Sequence, residues 1–271
     1  MFRAGVEKDA HSEFLFRQTE SKPTRKEQIR ICGLGNYFMK RTILLLMVWA
    51  VIGLLPVCSQ TSSKLDTTKF QAISVSMSAA KSSAKIRGKD TIRIIKDPAV
   101  KEFDEPTFAK LKGVNFKNGT IEIKVLSRLQ KDAPETARGF IGVAFRINES
   151  NSKFECMYIR PTNGRVEIQL RRNRATQYFS FPDYKFDRLR KDAPGEYESY
   201  VDIGLNEWID LKIEVKGAKA KLFVNGSKQP VLIVNDLKHG ADLSGAIGLW
   251  VEFGTDGYFA DLKIRSDEIK K

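Results

Sequence analysis

The chain has 271 residues, with 46 Lys and Arg against 33 Asp and Glu and a formal net charge of +13. That length allows one large domain or two modest ones. Three cysteines argue against a disulfide-framed small module, and two histidines, His11 and His239, argue against a histidine-built metal centre or a Ser-His-Asp triad.

Residues 1–38 are charged and aperiodic, with Cys32 stranded among them, and read as an over-long start or a disordered extension. Met39, Lys40 and Arg41 then precede an apolar run of 16 residues, Thr42–Val57. A basic start, a short apolar run and small residues is the layout of a secretory signal peptide, here 39–59. A membrane anchor would need roughly 20 apolar residues. Val57 and Ser59 suit cleavage before Gln60, and the expected place is secreted or periplasmic. A rival is lipid anchoring through Cys58, since Leu55-Pro56-Val57-Cys58 loosely matches a lipobox; only then is a membrane partner expected.

Beyond Gln60 the balance is 37 basic to 28 acidic residues, once 9 and 5 are set aside for residues 1–59. This excess suits acidic partners such as anionic polysaccharide, and equally suits plain solubility. Residues 60–89 are rich in Ser, Thr and Lys and read as a linker and entry segment, ahead of a domain over 90–265 and a charged tail at 266–271.

Within 90–265, alternation of apolar and polar residues marks strands. Thr120–Ser127 turns Ile121, Ile123 and Val125 one way, and Gly139–Ile147 does the same with Ile141, Val143, Phe145 and Ile147. Trp208–Val215, Ala246–Phe253 and Gly257–Ile264 continue the pattern. Asn118-Gly119, Asn163-Gly164 and Asn225-Gly226 are turn signals, because both residue types accept positive φ. No amphipathic helix of ten or more residues is visible. Many short strands with Gly-rich turns predict an all-β fold, a two-sheet antiparallel β-sandwich or jelly roll.

The segments Phe116–Glu122, Gly139–Arg146, Phe154–Pro161, Glu207–Val215, Ala220–Asn225, Gly245–Trp250 and Gly257–Ile264 resemble, in order and spacing, the concanavalin A-like lectin/glucanase superfamily. The nearest branch is laminin-G-like and keto-disaccharide hydrolase-like, common in exported bacterial proteins. The resemblance spans 90–265 and implies the fold; that branch holds both sugar hydrolases and domains that only bind.

The face opposite the apolar residues is unusual. It carries Phe140, Gly142, Ala144 and Arg146, then Cys156, Tyr158 and Arg160, then Ala246, Gly248, Trp250 and Glu252. Small residues leave a groove floor on which Trp250 and Tyr158 can stack a sugar, with Arg146 and Arg160 binding hydroxyls or a carboxylate. The other reading is a second buried layer with a loop folded over it. The connection Arg171–Tyr184, with Arg174, Gln177 and Tyr178, reads as a solvated basic loop or as a groove border, and its basic and aromatic mix also has the chemistry of a single-stranded nucleic acid site. The expected ligand site is therefore Arg146, Tyr158, Arg160, Arg174, Gln177, Tyr178, Trp250 and Glu252, with Trp250 the stacking residue.

No catalytic residue is assigned. The Glu-x-Asp-x-x-Glu run of the superfamily's glucanases is missing, and Glu196-Tyr197-Glu198 offers two carboxylates only at a loop edge. Asp236, Asp242 and Asp256 have calcium chemistry without a calcium-loop spacing, so neither metal nor cofactor is expected. These observations favour an exported carbohydrate-binding monomer that takes a neutral or anionic saccharide and no nucleic acid. A glycoside hydrolase without the usual motif and a structural or protein-interaction module stand as alternatives.

Overall fold

The computed structural model describes residues 61–62, 65–81 and 90–267. The proposed signal peptide, its cleavage point, Cys58 and His11 lie outside the described residues, as does most of the charged tail.

The described residues fold as two antiparallel sheets face to face. The first sheet runs β13 (Leu232–Val234), β12 (Lys219–Val224), β11 (Ile209–Lys216), β6 (Gly119–Leu129), β15 (Thr255–Ser266), β4 (Asp90–Lys96) and β3 (Val75–Lys81). A short β1 (Thr61–Ser62) pairs with β15 off this path. The second sheet runs β10 (Glu198–Ser199), β9 (Thr176–Phe181), β8 (Phe154–Ile159), β7 (Ile141–Ile147), β14 (Ala246–Val251), β5 (Phe108–Leu111) and β2 (Phe70–Ile73). This is the expected antiparallel β-sandwich jelly roll. Its two helices among the described residues are short: α1 (Gln169–Arg172) and α2 (Phe186–Asp192).

The core between the sheets is built by the alternation seen in the sequence. Ile121, Ile123 and Val125 of β6, with Ile209, Leu211, Ile213 and Val215 of β11, are all buried. From the other side come Ile141 and Val251, close enough to Gly257 of β15 that a Cβ there would meet both. On its outer face the first sheet presents Glu122, Lys124, Asp210 and Lys212, none of them buried.

Three sequence expectations change. Residues 60–89 are not simply a linker: Phe70–Ile73 pairs with β5, and Val75–Lys81 pairs with β4 as an edge strand. Only Val75 and Met77 of β3 pack on the core, so the edge strand reads as polar. The Arg171–Tyr184 connection contains a whole strand, β9. Its Thr-Gln-Tyr-Phe-Ser-Phe sequence lacks alternation because nearly all of it is buried on both faces. Lastly, Asn163-Gly164 lies in a short 3-10 turn, not a hairpin, with Gly164 at φ −62°. Asn225-Gly226 does turn as expected: both residues take positive φ (51° and 70°), and Ser227 N–H donates to the Val224 carbonyl at 3.0 Å. Gly119 is required for another reason, since a Cβ there would stand 1.9 Å from the Arg265 carbonyl oxygen.

Candidate functional site

The outer face of the second sheet is not an open groove. In register across its strands lie Phe108, Trp250, Gly142, Tyr158 and Gln177, with Cys156 beside Phe179 one pair further along. These side chains form a second buried layer. Trp250 has no exposed surface, and its ring packs 4.8 Å from that of Tyr158 and 5.4 Å from that of Phe179. Phe154 joins Phe108, Phe179 and Phe181 by edge and stacked contacts. Cys156 sits within the layer, and burial pushes its thiol well above the ordinary range, which leaves it unreactive.

The segment 98–107 and helix α2 cover this layer. Trp250 Nε1 donates to the Glu105 carbonyl at 3.0 Å, Lys185 pairs with Glu105, and Phe186 N–H donates to Asp104 Oδ2 at 2.8 Å. Asp104 N–H in turn donates to Glu252 Oε2 at 3.0 Å. Leu189 of α2 is 1% exposed. The stacking role expected of Trp250 is therefore corrected: its indole N–H and both ring faces are already occupied by protein.

Arg146 is corrected too. It takes positive φ (55°), opposite a break in the β7–β14 register. Such a bulge re-aims a side chain and breaks the simple alternation. The Arg146 guanidinium donates to the carbonyls of Lys117, Gly217 and Gly240 and to Asn118 Oδ1, at 2.8–3.3 Å, so it ties together loops at one end of the sandwich. Burial holds its pKa below the ordinary value for arginine. Tyr178 faces the inter-sheet core, donating to Glu155 Oε2 at 2.6 Å and accepting from Lys238 N–H. Gln177 is buried, with its amide spent on the carbonyls of Tyr178 and Tyr197 and on Arg160.

The remaining four expected residues, Tyr158, Arg160, Arg174 and Glu252, do meet, at the end of the sheet left uncovered. They line a pocket of about 330 Å³ whose mouth holds Phe140, Phe253 and the half-exposed Phe103. Sequence reasoning missed Asp104, Arg138 and Arg190 in this wall, because their segments carry no periodicity that orients them. Five arginines, Arg138, Arg160, Arg171, Arg174 and Arg190, line this one space.

Their pairing is uneven. Glu198 is shared by Arg160 at 3.0 Å, Arg174 at 3.4 Å and Arg190. Burial pushes its carboxyl up, but hydrogen bonds and charge from Arg190 and Arg160 outweigh that and hold it below the usual range. Glu198 is thus a fixed counter-ion and a poor proton donor. Among the described residues, Arg138 donates to the carbonyls of Glu135 and Ala137, and Arg171 to Asn163 Oδ1. Burial and the neighbouring Arg171 charge lower the Arg138 pKa, while burial and Arg190 lower that of Arg174.

Two acids sit deeper. Burial raises Asp104 to about 7, with the Glu252 charge adding to it and the Phe186 N–H opposing it. Its backbone is left-handed, at φ 53°. Burial also raises Glu252, against the pull of Lys96. Both Glu252 oxygens are in use, Oε1 by Lys96 Nζ and Phe253 N–H and Oε2 by Asp104 N–H.

A wider hollow of about 880 Å³ crosses the outer face of the first sheet. Within it Lys124 pairs with Asp210, and Lys212 pairs with Glu214. His239 gives its ring Nε2 to the Phe181 carbonyl at 2.8 Å. Asp236, Asp242 and Asp256 are scattered and each pairs with a cation. Among the described residues no cluster of three or more His, Cys, Asp or Glu is placed to hold a metal.

No family model matches the chain, and no curated protein does. Similar solved structures include a Bacillus subtilis protein of unknown function with a galectin-like fold (12% identity, 77% of this chain and 94% of that one, TM-score 0.45). A carbohydrate binding module from the same organism matches at 12% identity over 71% of this chain and 96% of its own, with TM-score 0.42. A galectin from Caenorhabditis elegans matches at 15% over 57% and 93%, with TM-score 0.33. Likenesses this distant assign neither a family nor an activity.

Proposed function

We propose that this chain is an exported, lectin-like carbohydrate-binding sandwich that works as a monomer and takes its ligand in the arginine-lined pocket at the open end of the second sheet. The observation that carries the reading is the pocket's composition. Five arginines line it, of which Arg138 and Arg171 meet neutral acceptors among the described residues and offer planar donors for sugar oxygens, and Phe103, Phe140 and Phe253 supply apolar faces for a ring. Its volume of about 330 Å³ sits at the low end for ligand pockets, suited to a chain end or short saccharide. Export is supported by the basic start and short apolar run at 39–59.

Binding is favoured over hydrolysis by how the carboxylates are spent. Glycoside cleavage needs a carboxylic acid and a second carboxylate free to act on the sugar or on water. Asp104 suits the first role, but Glu252 and Glu198 are held by neighbours at their oxygens.

The test is a glycan array probed with the chain expressed from its full sequence, alongside Phe103→Ala. The reading expects binding to at least one saccharide, weakened roughly tenfold in the variant, in line with the cost of losing one aromatic face. An empty array, or binding indifferent to Phe103, overturns it. Release of reducing ends from a bound glycan would favour the hydrolase instead.

A further inference from the structure

We propose that the saccharide taken by this pocket bears an acid group, a carboxylate or a sulfate, and that Arg138 and Arg171 grip it. This deepens the carbohydrate-binding reading and rests on it. The argument is one of charge left over. Three guanidiniums share the single carboxylate of Glu198, and Glu252 is already matched by Lys96. Among the described residues no carboxylate pairs with Arg138 or Arg171. What holds them is neutral: the carbonyls of Glu135 and Ala137 for the first, and Asn163 Oδ1 for the second.

These neutral acceptors orient the two side chains, and the nearby Glu135 charge offsets that of Arg138 only in part, since burial and the Arg171 charge outweigh it. Asn163 is itself fixed, 4% exposed and donating to the Arg174 carbonyl at 3.0 Å. Like charges gathered in a partly desolvated space repel, and the repulsion is relieved when an anion arrives. Guanidinium is the side chain matched to a planar or multi-oxygen anion, because its parallel N–H groups bond two oxygens at once. Hydroxyl groups of a neutral sugar would leave that charge uncompensated. The aromatic mouth sets where the ring lies and the arginines set which ring is accepted.

The experiment measures binding of the full chain, by calorimetry, to an oligosaccharide ending in a uronate, to its carboxyl-reduced counterpart and to a sulfated counterpart. The same ligands are tested on Arg138→Gln, Arg171→Gln and Arg171→Lys, with thermal melts to verify folding. The expected result is tighter binding of at least one acidic form, by tenfold or more, with affinity falling as salt rises. Each Gln variant should lose most of that preference while holding the reduced sugar about as well as before. Arg171→Lys, which keeps the charge but not the planar fork, should fall between. Equal binding of acidic and reduced sugars overturns the acid-group inference and leaves carbohydrate binding intact. Failure of every saccharide, with binding instead to a single-stranded oligonucleotide, overturns both.

Discussion

The two sheets treat their outer faces in opposite ways. On the first sheet, Glu122, Lys124, Asp210 and Lys212 point to solvent and neutralise one another or their neighbours along the surface. On the second, Phe108, Phe154, Cys156, Phe179 and Trp250 point outward from the sheet, yet all are buried, and Trp250 is bonded to the segment 98–107 that lies over it. One sheet therefore serves as a wall of the core, whereas the other is sandwiched between two apolar layers. The second arrangement has a use. A sheet buried on both faces is held from both sides, so the pocket at its uncovered end stands on a rigid floor, which a binding site needs if its donors are to keep their aim.

The largest expected effect lies in the covered layer. Trp250→Ala empties a fully buried indole site and should destabilise the fold by about 3–5 kcal/mol, read by thermal or denaturant unfolding. A loss below about 1 kcal/mol would mean that the layer is not a second core and that the two outer faces are more alike than they look. Next comes Arg146→Ala, which takes the guanidinium donors from three carbonyls and leaves Asn118 Oδ1 with Gly217 N–H alone. A loss of about 3 kcal/mol is expected, because buried acceptors lose the hydrogen bonds of a charged donor.

Asp104 gives a smaller effect of opposite sign. Its folded pKa, about 7, stands above its ordinary value of 3.8. For an acid raised on folding, stability is fully present below the unfolded pKa and is lost as pH climbs to the folded one. Stability should therefore decline between about pH 4 and 7 through this residue and level off above that. Asp104→Asn keeps an acceptor for Phe186 N–H and suits the left-handed backbone, so it should flatten that slope and add on the order of 1–2 kcal/mol at pH 8. An unchanged pH profile would show that Asp104 is solvated and lies outside the buried layer.

How much was legible follows from the same contrast. β6 and β11 could be read because one face meets water and the other the core, so Ile121, Ile123 and Val125 alternate with charged neighbours. The outer face of the second sheet is odd in sequence, since Gly142, Ala144 and Gly248 are not solvent residues, but small residues beside aromatics fit a groove floor and a packed layer equally well. What decides between them is the covering segment 98–107, with α2, whose contacts are long-range and leave no local pattern. β9 carries no strand signal for the same reason, its two buried faces erasing alternation. Arg146 misled because alternation cannot see a one-residue bulge. Tyr158, Arg160, Arg174 and Glu252 line one pocket, which Asp104, Arg138 and Arg190 reach from segments that only the fold brings near.

The smallest expected effect is Lys124→Ala, on the solvent face of the first sheet. Lys124 stands directly across from Asp210 in the β6–β11 register and pairs with it, much as Trp250 stands across from Gly142 in the other sheet. The positions are geometrically alike, since each side chain points away from the inter-sheet core. The surroundings differ: the Lys124 side chain is 33% exposed and that of Asp210 is 51% exposed, so water already screens both charges. An exposed ion pair of this kind contributes roughly 0–1 kcal/mol, because the Coulomb gain is offset by the ordering of two flexible side chains. The change should lower stability by less than about 0.5 kcal/mol, and added salt should shrink even that. A double-mutant cycle with Asp210→Ala, run with and without salt, measures the pair directly. A coupling above about 2 kcal/mol, insensitive to salt, would mean that the outer face of the first sheet is also covered, and the contrast between the sheets would fail.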